Sequence, residues 1–258
     1  MSSIYQHFRP EEKEFIDQVL EWKREVEERY APKLTDFLDP REQEIIRSLI
    51  GAQGETAVSF FGGTAEAERK RALIYPDYFI PEESDFSVVL FEIHYPEKFV
   101  SLSHPHVLGS LMGLGLRRGK FGDIILSQNR VQFFAAQEID NYIELHLTQV
   151  GKINVTLSKQ PFHKVAAKQE DWKEMSCTVS SLRLDAVISA FTNQSRQKAQ
   201  TWVRSGLVKV NWKQIENPAF ECAEGDVLSV RGAGRAKLLR LEGKTKKEKW
   251  RISLGILK

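Results

Sequence analysis

The stretch of sequence that decides the fold has three parts: SSLRLDAVISA (180–190), SRQKAQTWVRSGLVKVNWK (195–213) and EGDVLSVRG (224–232). Apolar residues in and just after the first part have the i, i+3, i+4, i+7 spacing of one helix face, namely Leu184, Val187, Ile188 and Phe191. In the second part, Ser195 predicts a helix N-cap, and Gly206 predicts the residue that follows the helix. The stretch therefore predicts two short helices followed by strands.

The second of these helices has a regular polar stripe. Arg196, Gln200 and Arg204 lie four residues apart, so their side chains share one side of the helix over two turns. Lys198 adds positive charge on the exposed side, whereas Trp202 falls on the apolar side. We expect Trp202 in the core and the stripe at the surface.

The strand after this helix alternates between apolar and polar residues. In LVKVNWK (207–213) the alternation predicts one apolar face, made of Val208, Val210 and Trp212. It predicts a polar face with Lys209, Asn211 and Lys213. A strand with lysines beside a helix with arginines is suited to contact with nucleic-acid phosphates.

Charge is divided unevenly along the chain. Its 258 residues carry a formal net charge of +2. Residues 176–258 have 16 Lys and Arg against 7 Asp and Glu, a net of +9, so residues 1–175 have a net of −7. Lysines can simply solvate a surface, but an excess of nine within 83 residues favours a domain that binds a polyanion.

The middle of the chain alternates between strand and helix patterns. FSVVLFEIHY is rich in β-branched and aromatic residues, and KFGDIILSQNRVQFFAA predicts two strands around a turn at 127–129. Six segments of this region have the predicted order βαββαβ, which is the ferredoxin-like arrangement also used by an RNA-recognition module. These segments are 86–95 (strand), 103–116 (helix), 120–136 (two strands), 138–151 (a helix closed by Gly151) and 153–161 (strand). Because Phe133 and Phe134 are adjacent, only one can face outward, and we expect no RNA stacking there.

The first part of the chain is predicted to be mainly helical. One helix begins near Pro10, and a second is capped by Asp39-Pro40 and ends at Gly51. AEAERKRALIYP (65–76) predicts a third, short helix that exposes the basic cluster Arg69, Lys70 and Arg71. The predicted fold class is α+β. The predicted organisation is an N-terminal helical domain (1–82), a ferredoxin-like middle domain (83–160), a linker (161–175) and a small RNA-binding domain (176–258).

Composition and motifs exclude several classes of protein. Hydrophobic residues make up 41% and charged residues 28%, which is typical of a globular chain, and no apolar run reaches the roughly 18 residues of a membrane span. Two cysteines cannot form a disulfide framework, and His104 with His106 makes a poor zinc site. Without a GxSxG elbow or a phosphate-binding glycine loop, we predict no catalytic residue, metal or cofactor, and we expect a cytoplasmic monomer.

Short motifs in the quoted stretch are similar to the small RNA-binding domain named after ribosomal protein S-four. They match in order and spacing: Arg-Leu-Asp (183–185), Ser-Arg (195–196), Gly-x-Val-x-Val-Asn (206–211) and Gly-Asp…Arg-Gly (225–232). The whole chain resembles the bacterial YlmH family through YQHF (5–8), TDFLDPREQ (35–43), SLMGLGLRRGKFGDI (110–124) and EGKTKKEKWR (242–251). In that family the RNA-binding domain follows a helical domain and a ferredoxin-like domain.

The resemblance implies binding of structured RNA, rRNA or tRNA, without chemistry. It implies association with the large ribosomal subunit and a role similar to that of the RqcP group, which holds peptidyl-tRNA on obstructed subunits during quality control. From the resemblance and the patterns together, the predicted RNA-binding residues are Arg183, Ser195, Arg196, Lys198, Gln200, Arg204, Lys209, Asn211, Lys213 and Arg231. A second contact is predicted at Arg117, Arg118 and Lys120.

Two other functions stay open. Pseudouridine synthases and some methyltransferases carry the same small domain, so an RNA-modifying enzyme is one alternative. Residues 1–175, however, have no recognisable catalytic motif. The other alternative is an interaction partner of the cell-division machinery, which copurification with ribosomal RNA after a high-salt wash would distinguish from RNA binding.

Overall fold

A computed structural model of the chain describes residues 5, 8, 10–51, 54–127, 130–167 and 172–257. The chain forms two compact units, Met1–Gln169 and Glu170–Lys258. Each combines helices with antiparallel strands, which confirms the α+β class. The domain limits at 82/83 and 175/176 stay predictions. No helix among the described residues is long and apolar enough to cross a bilayer.

The first unit begins with two helices packed on a small sheet. Asp39 caps the second helix by accepting a hydrogen bond from the Glu42 amide, and the Glu42 carboxylate accepts one from the Asp39 amide, so the predicted cap is confirmed. The three strands pair in the order β1-β3-β2. The elements are α1 (Lys13–Arg29), β1 (Lys33–Leu38), α2 (Pro40–Ile50), β2 (Thr56–Phe61) and β3 (Lys70–Pro76).

The third predicted helix (65–76) is wrong, because residues 65–69 form turns and bends and Lys70–Pro76 form β3. Ala72, Leu73 and Ile74 are all buried, so this strand is covered on both faces and lacks the alternation that marks a half-exposed strand. The basic cluster is not an exposed helix face either. Arg71 is 3% exposed and donates hydrogen bonds to Glu138 at 3.0 and 3.1 Å.

The sheet of the middle region has the predicted ferredoxin-like topology. Its strands lie in the order β5-β6-β4-β9, which is second, third, first and fourth of the βαββαβ series. The predicted turn residues 128 and 129 lie outside the described residues. The elements are β4 (Val88–His94), α3 (His104–Gly113), β5 (Phe121–Ser127), β6 (Arg130–Ala136), α4 (Asp140–His146), β7 (Gln149–Val150), β8 (Ile153–Asn154) and β9 (Thr156–Gln160).

Helix α4 is shorter than predicted. It ends at His146, and β7 pairs with β8 in a small hairpin. Gly151 has φ +61 in the turn of this hairpin, so its left-handed conformation serves the turn and not a helix end. A glycine after an apolar run is typical both of a helix C-terminus and of a hairpin turn, so the sequence pattern does not distinguish the two.

Both faces of the four-stranded sheet are covered. Phe133 stacks on Phe91 in the core beneath the helices, with ring centroids 5.2 Å apart. Phe134 points to the other face, where it packs with Phe37 from β1 and with Phe162, and it is 0% exposed. The N-terminal residues thus occupy the face on which an RNA-recognition module stacks bases, and neither phenylalanine is available to a base.

The second unit is a six-stranded antiparallel sheet with two helices packed on it. Strand order is β10-β15-β14-β13-β11-β12, and one core joins helices and sheet. Its elements are β10 (Trp172–Val179), α5 (Leu184–Thr192), α6 (Arg196–Arg204), β11 (Val208–Val210), β12 (Lys213–Gln214), β13 (Val227–Val230), β14 (Gly234–Lys244) and β15 (Trp250–Leu257).

The predicted linker 161–175 is structured at both of its ends. Phe162 and Ala166 pack against the core of the first unit, and Trp172 begins strand β10, where it lies opposite Leu257 of β15. The centre of the predicted linker, 168–171, lies outside the described residues. Strand β10 was missed because Lys173 and Glu174 interrupt the apolar pattern at its start.

Candidate RNA-binding surface

The two predicted helices of the second unit form and are capped as expected. Helix α5 buries Leu184, Val187 and Ile188 against the sheet. At the start of α6, the Ser195 hydroxyl accepts a hydrogen bond from the Lys198 amide at 3.2 Å. The helix pair therefore sits rigidly on the core, with the first turn of α6 at the surface.

A buried carboxylate links the two helices. Asp185 on α5 is 0% exposed. Arg196 donates to it from Nε at 3.1 Å and from Nη2 at 3.2 Å, and Gln200 donates from Nε2 at 2.7 Å. Arg183 contributes a longer contact of 3.4 Å from its Nε. The network brings together three of the predicted RNA-binding residues.

The pKa of Asp185 reflects this network. Burial raises the pKa of the carboxyl, but the hydrogen bonds from Arg196, Gln200 and Arg183 outweigh burial, and the pKa lies below its ordinary value. The carboxylate is therefore charged at neutral pH. The sequence signal for this role was the four-residue spacing of Arg196 and Gln200, which places both side chains opposite one acceptor.

The network changes what Arg196 can offer to a phosphate. Its Nε and Nη2 edge, which would grip a phosphate with two parallel bonds, is already bonded to Asp185. Its Nη1 lies 3.5 Å from the Ser180 hydroxyl, and its side chain is 43% exposed. The outer end of the guanidinium is the part that faces solvent and can donate to a ligand.

Other basic side chains surround this network at the surface. Lys198 is exposed and lies over the half-buried Trp202 ring, with Nζ 5.2 Å from the centroid, while Trp202 packs on the core. Arg204, one turn beyond Gln200, is exposed. Neither cation has an ion pair with any residue that the structure describes. We name this the helix-pair surface, made of Arg183, Ser195, Arg196, Lys198, Gln200 and Arg204.

The predicted polar face of strand β11 is wrong. The strand ends at Val210, because Asn211 and Trp212 have φ +48 and +62 and form a two-residue turn into β12. Lys213 lies opposite Val210 and Lys209 opposite Gln214, so the two lysines are on different faces of the sheet.

The turn also changes the roles of its own two residues. The Asn211 amide holds the chain, because its Nδ2 donates to Asp226 and its Oδ1 accepts from the Val227 amide, both at 2.8 Å. Alternation predicts Trp212 on the apolar face, but the residue lies outside the core. Its ring lies under Arg235, with the guanidinium 5.8 Å from the ring centroid. Lys209 and Arg231 are exposed outside the helix-pair surface. Alternation fails here because the chain reverses within the pattern.

The predicted second contact has mostly internal partners. Arg118 donates to the carbonyl groups of Phe121 at 2.5 Å and Gly122 at 3.2 Å, and burial lowers its pKa to about 10. Lys120 donates to Asp36 at 2.6 Å and to Glu138 at 2.9 Å. Arg117 alone of the three is exposed, so they form no shared surface for a phosphate.

The described residues offer no alternative centre of metal chemistry. His104 and His106 lie exposed in the first turn of α3, and no group of three His, Cys, Asp or Glu side chains gathers within the described ranges. Cys222 is buried, and burial together with nearby carboxylates raises its pKa to about 12, which suppresses its thiolate form.

Three family models match consecutive parts of the chain. Residues 11–79 match "YlmH, N-terminal", residues 81–164 match "Putative RNA-binding domain in YlmH", and residues 182–228 match "S4 domain". The chain is also 52% identical over 253 residues, 98% of each protein, to "Ribosome-associated protein quality control protein P2" of Bacillus subtilis (strain 168). The chain belongs to the YlmH family.

Two further relatives agree with membership of the YlmH family. A solved structure titled "Cell division protein ylmH from Streptococcus pneumoniae" is 39% identical, with a TM-score of 0.55, and covers 63% of this chain and 99% of its own. The small ribosomal subunit protein uS4 of Finegoldia magna is 29% identical over 132 residues, which are 50% of this chain and 61% of uS4. The S4 match contains the whole helix-pair surface.

Proposed function

We propose that this YlmH-family protein is a non-catalytic, cytoplasmic protein that binds structured RNA in ribosome-associated quality control. The observation that carries the proposal is the buried Asp185, which fixes two arginines at the helix-pair surface. The name of the B. subtilis relative supports the ribosomal role. We infer further that the RNA is rRNA of the large ribosomal subunit, or tRNA bound to that subunit, including peptidyl-tRNA. We also infer that the protein binds as a monomer.

Binding at the helix-pair surface would combine arginines that Asp185 holds in place with exposed cations at the rim. The outer ends of Arg183 and Arg196 would donate to phosphate oxygens from positions that Asp185 sets. Lys198 and Arg204 would add charge at the rim of the surface and release counterions from the RNA backbone. The first-turn amides of α6 also favour an anion. Such a surface recognises the shape of the phosphate backbone and not a base sequence.

Arg204→Gln tests the surface without breaking the Asp185 network. We expect affinity for a fluorescein-labelled RNA stem–loop to fall about five- to ten-fold, and the log–log salt slope to flatten by about one, because one phosphate contact is lost. Fluorescence anisotropy over a KCl series measures both. Lys98→Gln, which removes an exposed cation of the first unit, is the matched control and should change neither. Equal effects in the two variants would refute the proposed surface.

The absence of turnover is a separate expectation. Ribosomal RNA and tRNA incubated with the protein, with and without S-adenosylmethionine, should keep their nucleoside composition by mass spectrometry. The physical reason is that Asp185 is held in a salt-bridged network, and burial and nearby carboxylates suppress the thiolate form of Cys222. A modified nucleoside that forms reproducibly would instead favour the RNA-modifying enzyme.

A further inference from the structure

The positive charge of the second unit lies mostly outside the S4 match. Residues 182–228 hold six Lys and Arg against five Asp and Glu, whereas residues 234–257 hold eight against two. We call residues 234–257 the terminal hairpin, because they comprise β14, the connecting residues 245–249 and β15. The charge excess that first indicated a polyanion partner therefore belongs mainly to this hairpin and not to the helix-pair surface.

The terminal hairpin extends beyond its neighbour in the sheet. Strand β13 pairs with β14 only as far as Lys237, whereas β14 continues to Lys244 with β15 as its paired strand. The residues just before β13 still contact β14, because Leu238 forms backbone hydrogen bonds with Gly225 and Asp226 and the Leu241 amide donates to the Glu224 carboxylate. From Leu241 to Thr245 the chain can extend by up to about 13 Å, at roughly 3.3 Å per residue. The far end of the hairpin is thus carried away from the edge where β13 stops.

The tip of the hairpin is an ordered turn. The Thr245 amide donates to the Lys249 carbonyl at 2.7 Å, and the Glu248 amide donates to the Thr245 carbonyl at 3.0 Å. The Thr245 hydroxyl accepts from the Lys249 amide at 3.2 Å. Glu248 takes the left-handed conformation, with φ +55, that closes the turn. These bonds hold Lys246 and Lys247 at the apex.

Three lysines at the tip form no ion pair with the residues that the structure describes. Lys246, Lys247 and Lys249 are exposed, and their ammonium groups have no ion pair with any residue in the described ranges. Lower on the hairpin, Lys244 pairs with Glu248 at 2.9 Å and Arg240 pairs with Glu174 at 2.6 Å. Neighbouring ammonium groups repel one another, and the one carboxylate within residues 245–249, Glu248, is paired with Lys244, so a bound polyanion would lower the electrostatic energy of the tip.

We propose that the tip of the terminal hairpin is a second RNA-binding site, which contacts backbone phosphates through Lys246, Lys247 and Lys249. This inference rests on the proposed function. Lysine ammonium groups act as point charges without the paired geometry of arginine, so the site binds phosphates regardless of base sequence. It adds electrostatic affinity to that of the helix-pair surface and lets one RNA molecule contact both groups of cations.

A different role for these lysines predicts a different result. Charged residues on an exposed edge strand also prevent pairing with other chains, and β14 has such an edge beyond Leu241. In that case, replacement of the lysines would promote self-association and leave RNA affinity unchanged. Light scattering and RNA titration on the same protein separate the two roles.

The test is a triple variant of the full chain, Lys246→Gln, Lys247→Gln and Lys249→Gln. With a fluorescein-labelled RNA stem–loop, we expect affinity to fall about ten-fold or more near 0.1 M KCl, and the log–log salt slope to flatten by about two. The charge-matched control is Lys98→Gln, Lys152→Gln and Lys164→Gln, all exposed lysines of the first unit, and its slope should stay at the wild-type value.

Outcomes of this test separate the two proposals. If wild-type protein does not bind the stem–loop, the proposed function fails and the hairpin site fails with it. If wild-type protein binds and Arg204→Gln weakens binding, but the hairpin variant keeps the wild-type slope, only the hairpin site is refuted. A slope that flattens equally in the hairpin variant and in its control would also refute it, since net charge would then explain the effect.

Discussion

Asp185→Asn should lower the free energy of unfolding of the second unit by about 2–4 kcal/mol and weaken RNA binding in the same protein. The amide keeps the shape of the carboxylate but removes its charge, and one of its two acceptor oxygens becomes a donor that faces the donors of Arg196 and Gln200. Both arginines then lose the group that fixes them. Urea unfolding followed by tryptophan fluorescence measures the stability, and anisotropy with the RNA stem–loop measures the binding.

The pH dependence of this variant provides a second measurement. Because the pKa of Asp185 is lowered in the folded protein, its stabilisation is fully present above the ordinary aspartate pKa of about 3.9 and is lost as pH falls through the lower, folded value. The stability difference between wild type and Asp185→Asn should therefore shrink below about pH 4. Glu242→Gln, at an exposed carboxylate, is the control. Equal stability of Asp185→Asn and wild type at pH 7 would contradict the role given to the network.

Phe134→Ala is expected to destabilise the first unit by about 3–5 kcal/mol, because it opens a cavity between the four-stranded sheet and the N-terminal residues. Gly63, which approaches the Phe134 ring with φ +97, cannot supply a side chain to fill that cavity. Thermal unfolding measures the loss, and RNA affinity below the transition should equal that of wild type. Phe99→Ala, at a side chain 87% exposed, should change stability by less than about 0.5 kcal/mol.

The opposite result would change the assignment of the sheet. If Phe134→Ala kept its stability and lost RNA affinity, Phe134 would be a stacking platform like that of an RNA-recognition module. The N-terminal residues would then have to leave this face when RNA binds.

Local signals in the sequence predicted much of the fold. The caps at Asp39 and Ser195 were found because a cap depends on residues within one helical turn, and both form as expected. The βαββαβ order was also predictable, because each segment carried its own period. Strand β3 is not recognisable from the sequence, because it is the central strand between β1 and β2 and is buried on both faces, so it lacks the alternation of a half-exposed strand.

The site was predictable in its residue types but not in its geometry. The four-residue spacing places Arg196 and Gln200 on one side of the helix. The position of Asp185 beneath them depends on the packing of α5 against α6, which the spacing does not reveal. Alternation predicts Lys209 and Lys213 on one face, because nothing in the pattern indicates that the chain reverses at Asn211 and Trp212. Two consecutive left-handed residues without glycine have no common sequence signal.

The Asp185 network also has a consequence for the entropy of association. Long, flexible side chains usually lose rotamer freedom when a ligand immobilises them, at about 0.5–1.5 kcal/mol each. Arg183 and Arg196 lose most of that freedom when the protein folds, since their Nε groups are already bonded to Asp185. RNA therefore meets a surface whose arginines are ordered in advance, while the exposed lysines at 198, 246, 247 and 249 bear the ordering cost that remains.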